Sequence, residues 1–464
     1  MDYIGKKLHF IGIGGIGMSA LAHILLGMGV KVSGSDAYMS EIVADLKDRG
    51  AQIFIGHAAN QVPADADFVV YSSAIRPQNP EILVAKEKKI KIISRAELLA
   101  KLMQLKQSIA VAGAHGKTTT TGMISTVLLA NQKDPSIVIG GILHNIGSNA
   151  RLGHGDFLVA EADESDGSFL LLKPRIAVVT NISNDHLDHY GSMENLVAAF
   201  SQFVAGIPVD SFSVLGIDSE PVAQLAVTNE GRYVTFGLVN PSADYTAKDI
   251  TFKGCSSLSS IYYHEQKLGE LVLRIPGLYN ISNALAAIAV SREMGLSFEE
   301  IAQALAQYAG TGRRFEILWN ADDIMVVHDY AHHPTEIKAV LSAAKNINKN
   351  RVLVVFQPHR YSRTQQLLTD FAETLMIADK IIINEIYSAF EDAIPGLSGQ
   401  TLVDAIKNSG HKNVEFAPKE ADVLDCLNRT VQKGDIVMVV GAGPIYHTGQ
   451  VYAEMLKRKG GSKV

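Results

Sequence analysis

The segment Val111–Thr121, Val-Ala-Gly-Ala-His-Gly-Lys-Thr-Thr-Thr-Thr, constrains the fold more than any other part of the chain. The apolar run Ser108–Ala112 predicts a buried strand, and this run breaks at Gly113 and Gly116 before Lys117 opens an apolar-periodic helix. A strand, a glycine turn and a helix N terminus gather unpaired backbone N–H groups around one point, where a polyphosphate can bind. The segment therefore predicts a phosphate loop with ATP as its ligand.

This loop is a variant of the usual Walker motif, because Val111 stands where that motif has its first glycine. Lys117 is expected to act as a point cation for the phosphates. A hydroxyl from the threonine run is expected to bind Mg²⁺. The sequence thus indicates ATP and Mg²⁺ together.

Length, charge and cysteine content limit the kinds of protein that this chain can be. The 464 residues predict about three domains at ~150 residues each. The net charge of −6 argues against nucleic acid or an anionic membrane as the main partner. The two cysteines, Cys255 and Cys426, are far apart and indicate a reducing compartment. No uninterrupted apolar stretch approaches the ~18 residues of a membrane span. We therefore expect a cytoplasmic protein without membrane insertion.

Short apolar runs alternate with amphipathic helical patterns almost throughout, which predicts an α/β fold with parallel sheets and crossover helices. We expect a Rossmann-like parallel sheet in residues 1–105 and a P-loop ATPase-like α/β domain in residues 106–311. The alternating segment Tyr233–Ile275 predicts a small antiparallel sheet beside the central one. Residues 312–464 repeat the strand–helix rhythm and predict a second Rossmann-like domain. Expected linkers are the segments Leu102–Gln107 and Gly310–Arg314.

A second glycine-rich turn lies near the start of the chain. Gly12, Gly14, Gly15 and Gly17 follow the apolar run that begins at Leu8, and Asp36 comes about 20 residues after the turn. The glycines let the backbone approach a pyrophosphate, and the acidic residue can bond a hydroxyl or a base edge. The fingerprint predicts a pyrophosphate site without separating NAD from another nucleotide diphosphate.

Two polar runs follow predicted strands in the central part of the chain. Glu161–Asp166 places four carboxylates after one strand, which favours a hard divalent cation facing the phosphate loop. Asn181–His189 follows the next strand, and its Asp and His side chains suit a second metal or the orientation of a nucleophile. Both runs are expected at the same edge of the sheet.

The last third of the chain carries clusters suited to anions. Arg313–Arg314 follows a glycine turn and is expected to clamp phosphate oxygens. Asp329–Glu336 and Gln357–Thr364 each end a predicted strand and begin a helix. Arg360 and Arg363, three residues apart, are expected to share a helix face and to grip a carboxylate bidentately. Two such clusters at neighbouring strand ends indicate an anion pocket.

Together these motifs resemble the Mur ligase family, the ATP-dependent amide-bond-forming enzymes of cell-wall synthesis, over nearly the whole chain. The matching motifs are Gly113–Thr119, Glu161–Asp166, Asn181–His186 and Asn280–Ala284. Within the family, the opening Ile11–Ser19 and the pair formed by Asp329–Pro334 and Gln357–Arg363 are most similar to the branch that adds L-alanine. Several siblings carry a carbamylated lysine where this chain has Ala198–Phe200, and its absence here fits the same branch. Pro444 departs from the family pattern and leaves that position without a role.

The resemblance implies the reaction and its substrates. L-Alanine would be joined to the lactyl carboxylate of UDP-N-acetylmuramate through an acyl phosphate, giving ADP, phosphate and UDP-N-acetylmuramoyl-L-alanine in peptidoglycan synthesis. Residues 1–105 would bind the UDP-sugar, residues 106–311 ATP with two Mg²⁺ ions, and residues 312–464 the amino acid while capping ATP. A monomer or a homodimer is expected.

The resemblance also implies roles for single residues. Lys117, Glu161 and His186 would be catalytic, and Thr118, Glu161 and His186 would bind metal. ATP would contact Gly113, His115, Gly116, Lys117, Thr118, Thr119, Asn280, Asn283, Arg314 and Asp329. The UDP-sugar would contact Gly14, Gly15, Gly17, Ser35, Asp36, Ser72 and Ser73. L-Alanine would lie among His332, His359, Arg360 and Arg363.

Three alternatives stay open at this stage. A muropeptide-recycling ligase would add a tripeptide to the same nucleotide sugar, although the Pro358–Arg363 run disfavours it. An NAD-dependent oxidoreductase built on the first glycine turn would leave Lys117 and the acidic run Glu161–Asp166 without a use. A regulator that senses UDP-sugar and ATP without turnover would leave the clustered carboxylates without a use.

Overall fold

The computed structural model of the chain describes residues 3–347, 351–389 and 391–460. The strands are β1 Lys7–Ile11, β2 Lys31–Asp36, β3 Gln52–Ile55, β4 Phe68–Tyr71, β5 Lys91–Ser94, β6 Gln107–Ala112, β7 Ser136–Leu143, β8 Ser148–Arg151, β9 Phe157–Glu161, β10 Ile176–Val179, β11 Phe212–Gly216, β12 Tyr233–Phe236, β13 Tyr245–Lys253, β14 Ser256–Tyr263, β15 Gln266–Leu273, β16 Glu316–Ala321, β17 Ile324–Asp329, β18 Val352–Phe356, β19 Lys380–Ile383, β20 Val414–Phe416 and β21 Ile436–Val440.

The helices alternate with these strands for most of the chain. They are α1 Ile16–Gly27, α2 Glu41–Asp48, α3 Pro80–Glu87, α4 Arg95–Met103, α5 Lys117–Ala130, α6 Leu187–Tyr190, α7 Met193–Ala205, α8 Glu220–Thr228, α9 Leu278–Glu293, α10 Phe298–Leu305, α11 Pro334–Ile347, α12 Tyr361–Gln366, α13 Leu368–Leu375, α14 Gly399–Asn408, α15 Glu420–Thr430 and α16 Ile445–Gly460.

The first sheet has the order β3-β2-β1-β4-β5 and is parallel throughout. The strand order reverses at β1, which places a switch point between the neighbouring strands β1 and β4, where ligands bind in doubly wound folds. The predicted Rossmann-like N-terminal sheet is therefore confirmed. The polar segment Ser33–Asp36 belongs to β2 and pairs in register with β3.

The central sheet has the order β15-β14-β13-β12-β11-β10-β6-β9-β7-β8. Its middle strands, from β11 through β10, β6 and β9 to β7, are parallel, and β8 is antiparallel to β7. The segment Tyr233–Ile275 does form strands, and two-residue connections join β13 to β14 and β14 to β15, as in antiparallel hairpins. These strands extend the central sheet, which is therefore mixed.

The third sheet has the order β16-β17-β21-β18-β19-β20, with β16 antiparallel to β17 and the others parallel. Helix α11 begins at Pro334, where a proline without a backbone N–H removes no helical hydrogen bond. The predicted C-terminal Rossmann-like sheet is confirmed.

Contacts within the chain define two compact units. Unit 1 comprises Met1–Asp249, Ser259–Leu271 and Ser282–Ala309, and unit 2 comprises Ile250–Leu258, Val272–Ile281 and Gly310–Val464. The bounds 1–105, 106–311 and 312–464 for three domains stay a prediction.

One hydrophobic core in unit 1 spans the expected linker between the first two domains. Leu102 and Met103 end helix α4, are buried, and belong to the same core as Ala110 of β6. The exposed connection is therefore shorter than the predicted segment Leu102–Gln107. The sequence pattern did not show that the apolar residues of that segment complete a helix.

Among the helices of the described ranges, none is both long and apolar enough to cross a membrane.

Candidate active site

The phosphate loop joins β6 to α5 and has the backbone that its glycines imply. Gly113 has φ +130° and Gly116 has φ +84°, values that side-chain-bearing residues seldom adopt. A Cβ at Gly113 would lie 2.2 Å from Thr180 Oγ1, and one at Gly116 would lie 2.4 Å from Asn283 Oδ1. Helix α5 begins directly at Lys117, so the N–H groups of its first turn border the loop. The predicted strand–turn–helix geometry is present.

The Lys117 ammonium lies on the loop itself. Its Nζ donates to the carbonyl oxygens of Gly113 at 2.6 Å and Ala114 at 3.2 Å, and to Glu164 Oε1 at 2.8 Å. Burial alone lowers the pKa of the Lys117 amine, but the nearby carboxylates of Glu164 and Glu161 raise it above its ordinary value. The amine therefore stays charged where a phosphate would meet the loop.

Thr118 and Glu161 come together as the resemblance implies. The Thr118 hydroxyl donates to Glu161 Oε1 at 3.1 Å, and the N–H of Gly140 donates to Glu161 Oε2 at 2.9 Å. A hydroxyl and a carboxylate are oxygen ligands of the kind that Mg²⁺ prefers, usually completed by substrate phosphates and water. Within the described ranges, no three His, Cys, Asp or Glu side chains are gathered as a metal site. The donor set thus fits Mg²⁺ held jointly with a nucleotide.

His186 lies at a different point of the acidic run. Its Nε2 is 3.9 Å from Glu164 Oε1 and 3.8 Å from Asp185 Oδ2, and its backbone has φ +61°. The structure therefore places His186 beside Glu164, whereas Thr118 pairs with Glu161. The number of metal ions and the assignment of their ligands stay predictions. The side chain of Asp188, in the same polar run, lies outside the described residues.

Asn181 received no role from the sequence, yet it fixes the phosphate loop. Its Oδ1 accepts the His115 N–H at 2.9 Å, and its Nδ2 donates to the His115 carbonyl at 2.9 Å. Its own carbonyl accepts the Ala114 N–H at 3.0 Å. Two loop N–H groups expected to face phosphate are therefore used within the protein. The position of Asn181 in the sequence could have indicated this contact. Asn181 follows β10, which is the parallel neighbour of β6, so the residues after these two strands lie close together.

Asn283 also contacts the loop. It is buried, and its Oδ1 accepts a hydrogen bond from the Thr120 hydroxyl at 3.3 Å. Asn280 belongs to unit 2 and donates to the carbonyl of Pro276 at 2.6 Å. Thr119 is buried in the first turn of α5. The structure thus places Asn283 beside the phosphate loop, and the expected ATP contacts of both asparagines stay predictions.

The first glycine turn lies at the switch point of the five-stranded sheet. Asp36 Oδ2 accepts the N–H of Gly14 at 2.8 Å, and a Cβ at Gly14 would lie 2.9 Å from this oxygen. Ser35 is completely buried, so its hydroxyl faces the protein interior. The glycines and Asp36 are brought together as expected. The Ser35 side chain is instead buried beneath the surface of the site.

The remaining residues expected at the UDP-sugar lie along the same edge. Ser72 and Ser73 follow β4, and Ser72 Oγ accepts the N–H of Ala74 at 3.1 Å. Gly15 donates its N–H to the carbonyl of Gly12 at 3.2 Å, which closes the turn. Because β1 pairs in parallel with both β2 and β4, the carboxyl ends of these strands share one edge.

Arg95 is a site residue that the sequence analysis missed. It opens helix α4, and its Nη2 lies 3.2 Å from Asp163 Oδ2 in the acidic run. A Cβ at Gly17 would lie 2.9 Å from its Nη1. Arg95 thus borders both the first glycine turn and the acidic run, and no local motif marked it.

Unit 2 gathers the residues expected around L-alanine. The rings of His332 and His359 lie 5.8 Å apart, and Tyr387 lies 5.5 Å from His359. Burial, together with the neighbouring His332 and Arg363, lowers the pKa of His359 to about 4. His359 is therefore neutral near pH 7, with positive charge beside it, a setting suited to a carboxylate.

The prediction that Arg360 and Arg363 share a helix face is wrong. Helix α12 begins at Tyr361, and Arg360 precedes it with φ +71°. The Arg360 N–H donates to the carbonyl of Tyr387 at 2.8 Å, which draws the backbone away from helical geometry. The three-residue spacing suggested a helix that here starts one residue later.

Asp329 lies at the end of β17 and is used by the backbone around it. Its Oδ2 accepts the Phe315 N–H and its Oδ1 accepts the Ala331 N–H, each at 2.8 Å. Burial raises its pKa to about 6, while Arg314 opposes the shift. Arg314 also lies 4.0 Å from Glu336. The expected ATP contacts of Asp329 and Arg314 stay predictions.

Asp329→Asn is expected to change how stability depends on pH. The raised pKa means that the Asp329 contribution to stability is fully present below about pH 4 and is lost as pH rises to about 6. The loss is about 3 kcal/mol for a two-unit shift. Urea unfolding of both proteins across this range should therefore show a stability difference that changes by about this amount. A pH-independent difference would contradict the assignment.

Arg313 is held inside unit 2. Its Nη2 donates to the carbonyls of Ala442 and Gly443 at 3.1 Å, and its Nε donates to His328 Nε2 at 3.3 Å. The guanidinium also lies 4.7 Å from the centre of the Tyr330 ring. Arg313 therefore anchors the last glycine loop and does not form the phosphate clamp expected from the sequence.

Comparison with known families gives three successive matches. The Mur ligase family catalytic domain matches residues 7–107, the Mur ligase middle domain matches residues 111–291, and the Mur ligase glutamate ligase domain matches residues 313–443.

Curated relatives and solved structures agree with these matches. The chain is 49% identical over 447 residues to UDP-N-acetylmuramate–L-alanine ligase of Desulfatibacillum aliphaticivorans, covering 96% of this chain and 98% of that protein. It is 47% identical over 454 residues to the ligase of the same name from Syntrophotalea carbinolica, covering 98% and 99%. UDP-N-acetylmuramate-alanine ligase MurC of Thermotoga maritima superposes with a TM-score of 0.86 at 31% identity, covering 98% and 99%. A murein peptide ligase of Psychrobacter arcticus superposes with a TM-score of 0.71 at 25% identity, covering 97% and 99%.

Proposed function

Because the chain belongs to the Mur ligase family, we propose that it joins L-alanine to the lactyl carboxylate of UDP-N-acetylmuramate in peptidoglycan synthesis, converting ATP to ADP and phosphate. The main structural support for this function is the Lys117 ammonium on the phosphate loop, together with the Thr118–Glu161 pair. The relatives named for this reaction align with almost the whole chain. A cytoplasmic location and a monomeric or homodimeric state stay predictions.

The physical difficulty of the reaction lies in its first step. A carboxylate is a poor electrophile, and transfer of the γ-phosphoryl group converts it into an acyl phosphate. The carboxylate and the phosphate are both anions, so their approach needs positive charge held in place. Lys117 supplies one fixed cation, and Mg²⁺ on Thr118 and Glu161 would supply another. His186 beside Glu164 would support a second ion.

The second step forms the amide bond. The amine of L-alanine attacks the carbonyl carbon, a tetrahedral intermediate forms, and phosphate leaves with the bridging oxygen. Holding amine and acyl phosphate in place can lower the barrier by about 7–11 kcal/mol. We assign the grip on the L-alanine carboxylate to Arg360, Arg363 and His332 of unit 2, with neutral His359 beside them.

A recycling ligase that adds a tripeptide is the rival within the family. The curated relatives described above carry the L-alanine ligase name, and the Thermotoga maritima L-alanine enzyme superposes better than the Psychrobacter arcticus peptide ligase, at TM-scores of 0.86 and 0.71. An NAD-dependent oxidoreductase would use neither Lys117 nor the Thr118–Glu161 pair. The L-alanine reaction gives a role both to Lys117 and to the Thr118–Glu161 pair.

Phosphate release from ATP–Mg²⁺ with UDP-N-acetylmuramate and a panel of amines tests the proposal. L-Alanine is expected to be the best amine, with glycine about 10- to 200-fold less efficient, because one methyl group in an apolar pocket discriminates only weakly. L-Serine is expected to show measurable activity as well. A preference for the tripeptide would assign the recycling reaction instead. Silence with every amine, above an amine-free control, would refute the ligase function.

A further inference from the structure

A buried carboxylate that the reaction does not use lies within the first sheet. Glu81 is the second residue of helix α3, and its side chain has no exposed surface. The side chain of His9, in the central strand β1, is equally buried. Because an unpaired buried charge is costly, the groups that satisfy Glu81 indicate what it holds in place.

Three donors satisfy this carboxylate. Glu81 Oε2 lies 2.6 Å from His9 Nε2, while Oε1 accepts the Ser35 hydroxyl at 2.7 Å and lies 2.7 Å from His57 Nδ1. A carboxylate oxygen only accepts, so each imidazole nitrogen facing it carries the proton. Burial alone raises the pKa of Glu81, but these hydrogen bonds hold it below its ordinary value. Glu81 is therefore ionised near pH 7.

The network meets the first glycine turn through strand β2. The carbonyl of Ser35 accepts the N–H groups of Gly12 at 2.9 Å and Ile13 at 3.0 Å. The next residue, Asp36, accepts the N–H of Gly14 at 2.8 Å. Ser35 and Asp36 thus hold three successive N–H groups of the turn. Glu81 in turn holds the side chain of Ser35.

The network also reaches the loop after β3. The N–H of Gly56 donates to the carbonyl of Asp36 at 2.8 Å, and His57 follows directly. The His57 side chain is 26% exposed, and its Nδ1 is held by Glu81. One buried group thereby orients the end of β2 and a partly exposed imidazole beside it.

We propose that Glu81 is a positioning residue for the nucleoside diphosphate. Its carboxylate holds Ser35 and His57 so that the glycine turn and Asp36 keep the backbone arrangement that a diphosphate requires. Glu81 itself is fully buried, so it acts through Ser35 and His57. This inference rests on the proposed function, because the function assigns UDP to this turn.

Two substitutions separate positioning from a need for charge. Glu81→Ala removes both carboxylate oxygens that His9, Ser35 and His57 face. In Glu81→Gln the amide oxygen can accept from Ser35 and His57, and the NH₂ group can donate to His9 in its other tautomer. We therefore expect Glu81→Gln to rescue binding.

The measurement is calorimetric binding of UDP alone and of ADP alone to the full chain. Glu81→Ala is expected to weaken UDP binding about tenfold, because the groups that align the turn lose their support. ADP binding should stay unchanged, and Glu81→Gln should bind UDP within about twofold of wild type. Glu293→Ala is the matched control, because it removes a carboxylate bonded to Arg232 and Tyr245 elsewhere in unit 1. It should leave UDP binding unchanged.

Equal UDP affinity of wild type and folded Glu81→Ala would overturn the inference, and so would equal weakening of UDP and ADP. If the wild-type chain bound no UDP, the proposed function would fail as well, so the two failures are distinguishable. Should Glu81→Ala not fold, Ser35→Ala carries the test, with Ser33→Ala as control on the same strand. Ser33 bonds His9 at 2.9 Å and does not bond Glu81. Weaker UDP binding by Ser35→Ala alone supports the inference, and equal binding by both overturns it.

Discussion

Replacing Lys117 with alanine is expected to lower kcat about a thousandfold, equivalent to about 4 kcal/mol of transition-state stabilisation. The Nζ lies on the phosphate loop within 2.6 Å of the Gly113 carbonyl, and nearby carboxylates keep it charged. Its removal leaves the phosphoryl group and the substrate carboxylate without a fixed cation between them. Steady-state phosphate release measures the loss.

Binding of UDP to Lys117→Ala should stay close to that of wild type, because Lys117 follows β6 of the central sheet, whereas the first glycine turn follows β1 of the five-stranded sheet. Lys106→Ala is a suitable control. Its Nζ also donates to two backbone carbonyls, those of Gly153 and Gly155, at 2.7 and 2.6 Å. We expect that variant to retain kcat. Parallel loss of catalysis and UDP binding in Lys117→Ala would contradict the separation of the two sites.

Gly113→Ala is expected to destabilise the protein by about 3 kcal/mol or more and to abolish measurable ATP binding. The added Cβ would lie 2.2 Å from Thr180 Oγ1 and 2.9 Å from the Asn181 carbonyl oxygen, at a φ of +130°. Relief would require movement of Asn181, which holds both backbone groups of His115. Urea unfolding and ATP calorimetry measure the two effects.

Gly147→Ala is the matched control, because Gly147 has φ +62° and nothing within 4 Å of its expected Cβ. That substitution adds backbone strain alone and should cost about 1 kcal/mol. Similar destabilisation by Gly113→Ala and Gly147→Ala, with ATP binding intact in both, would show that the packing around Gly113 is dispensable.

The sequence was most informative where charged or polar residues lie at the end of a strand or in the loop that follows it. Glu161 ends β9 and Lys117 follows β6, and these two strands are parallel neighbours. Their loops must therefore meet at one edge of the sheet. The phosphate loop, the acidic run and the overall α/β class were predictable for this reason.

The sequence failed where contacts join distant segments. Ser35 was assigned to UDP, but a carboxylate 46 residues later binds its hydroxyl inside the sheet. Arg95 lies against Asp163, 68 residues away, without any local motif. No pattern of spacing encodes such pairs, because they depend on which helices cover the strands.

Local rules also failed when the backbone departed from regular geometry. The spacing of Arg360 and Arg363 suggested one helix face, but the φ of +71° at Arg360 places it before the helix. Arg313, with φ +63°, turns inward to the carbonyls of Ala442 and Gly443. Both departures occur where loops of unit 2 must meet each other.

The central claim, ligation through an acyl phosphate, is tested most directly by oxygen transfer. UDP-N-acetylmuramate labelled with ¹⁸O in both lactyl carboxylate oxygens would be turned over with ATP and L-alanine, and the phosphate released would be analysed by mass spectrometry. One carboxylate oxygen should leave with the phosphate, while the other remains in the new amide. Each phosphate is therefore expected to carry one ¹⁸O atom. Unlabelled phosphate, or the label in AMP, would contradict the account.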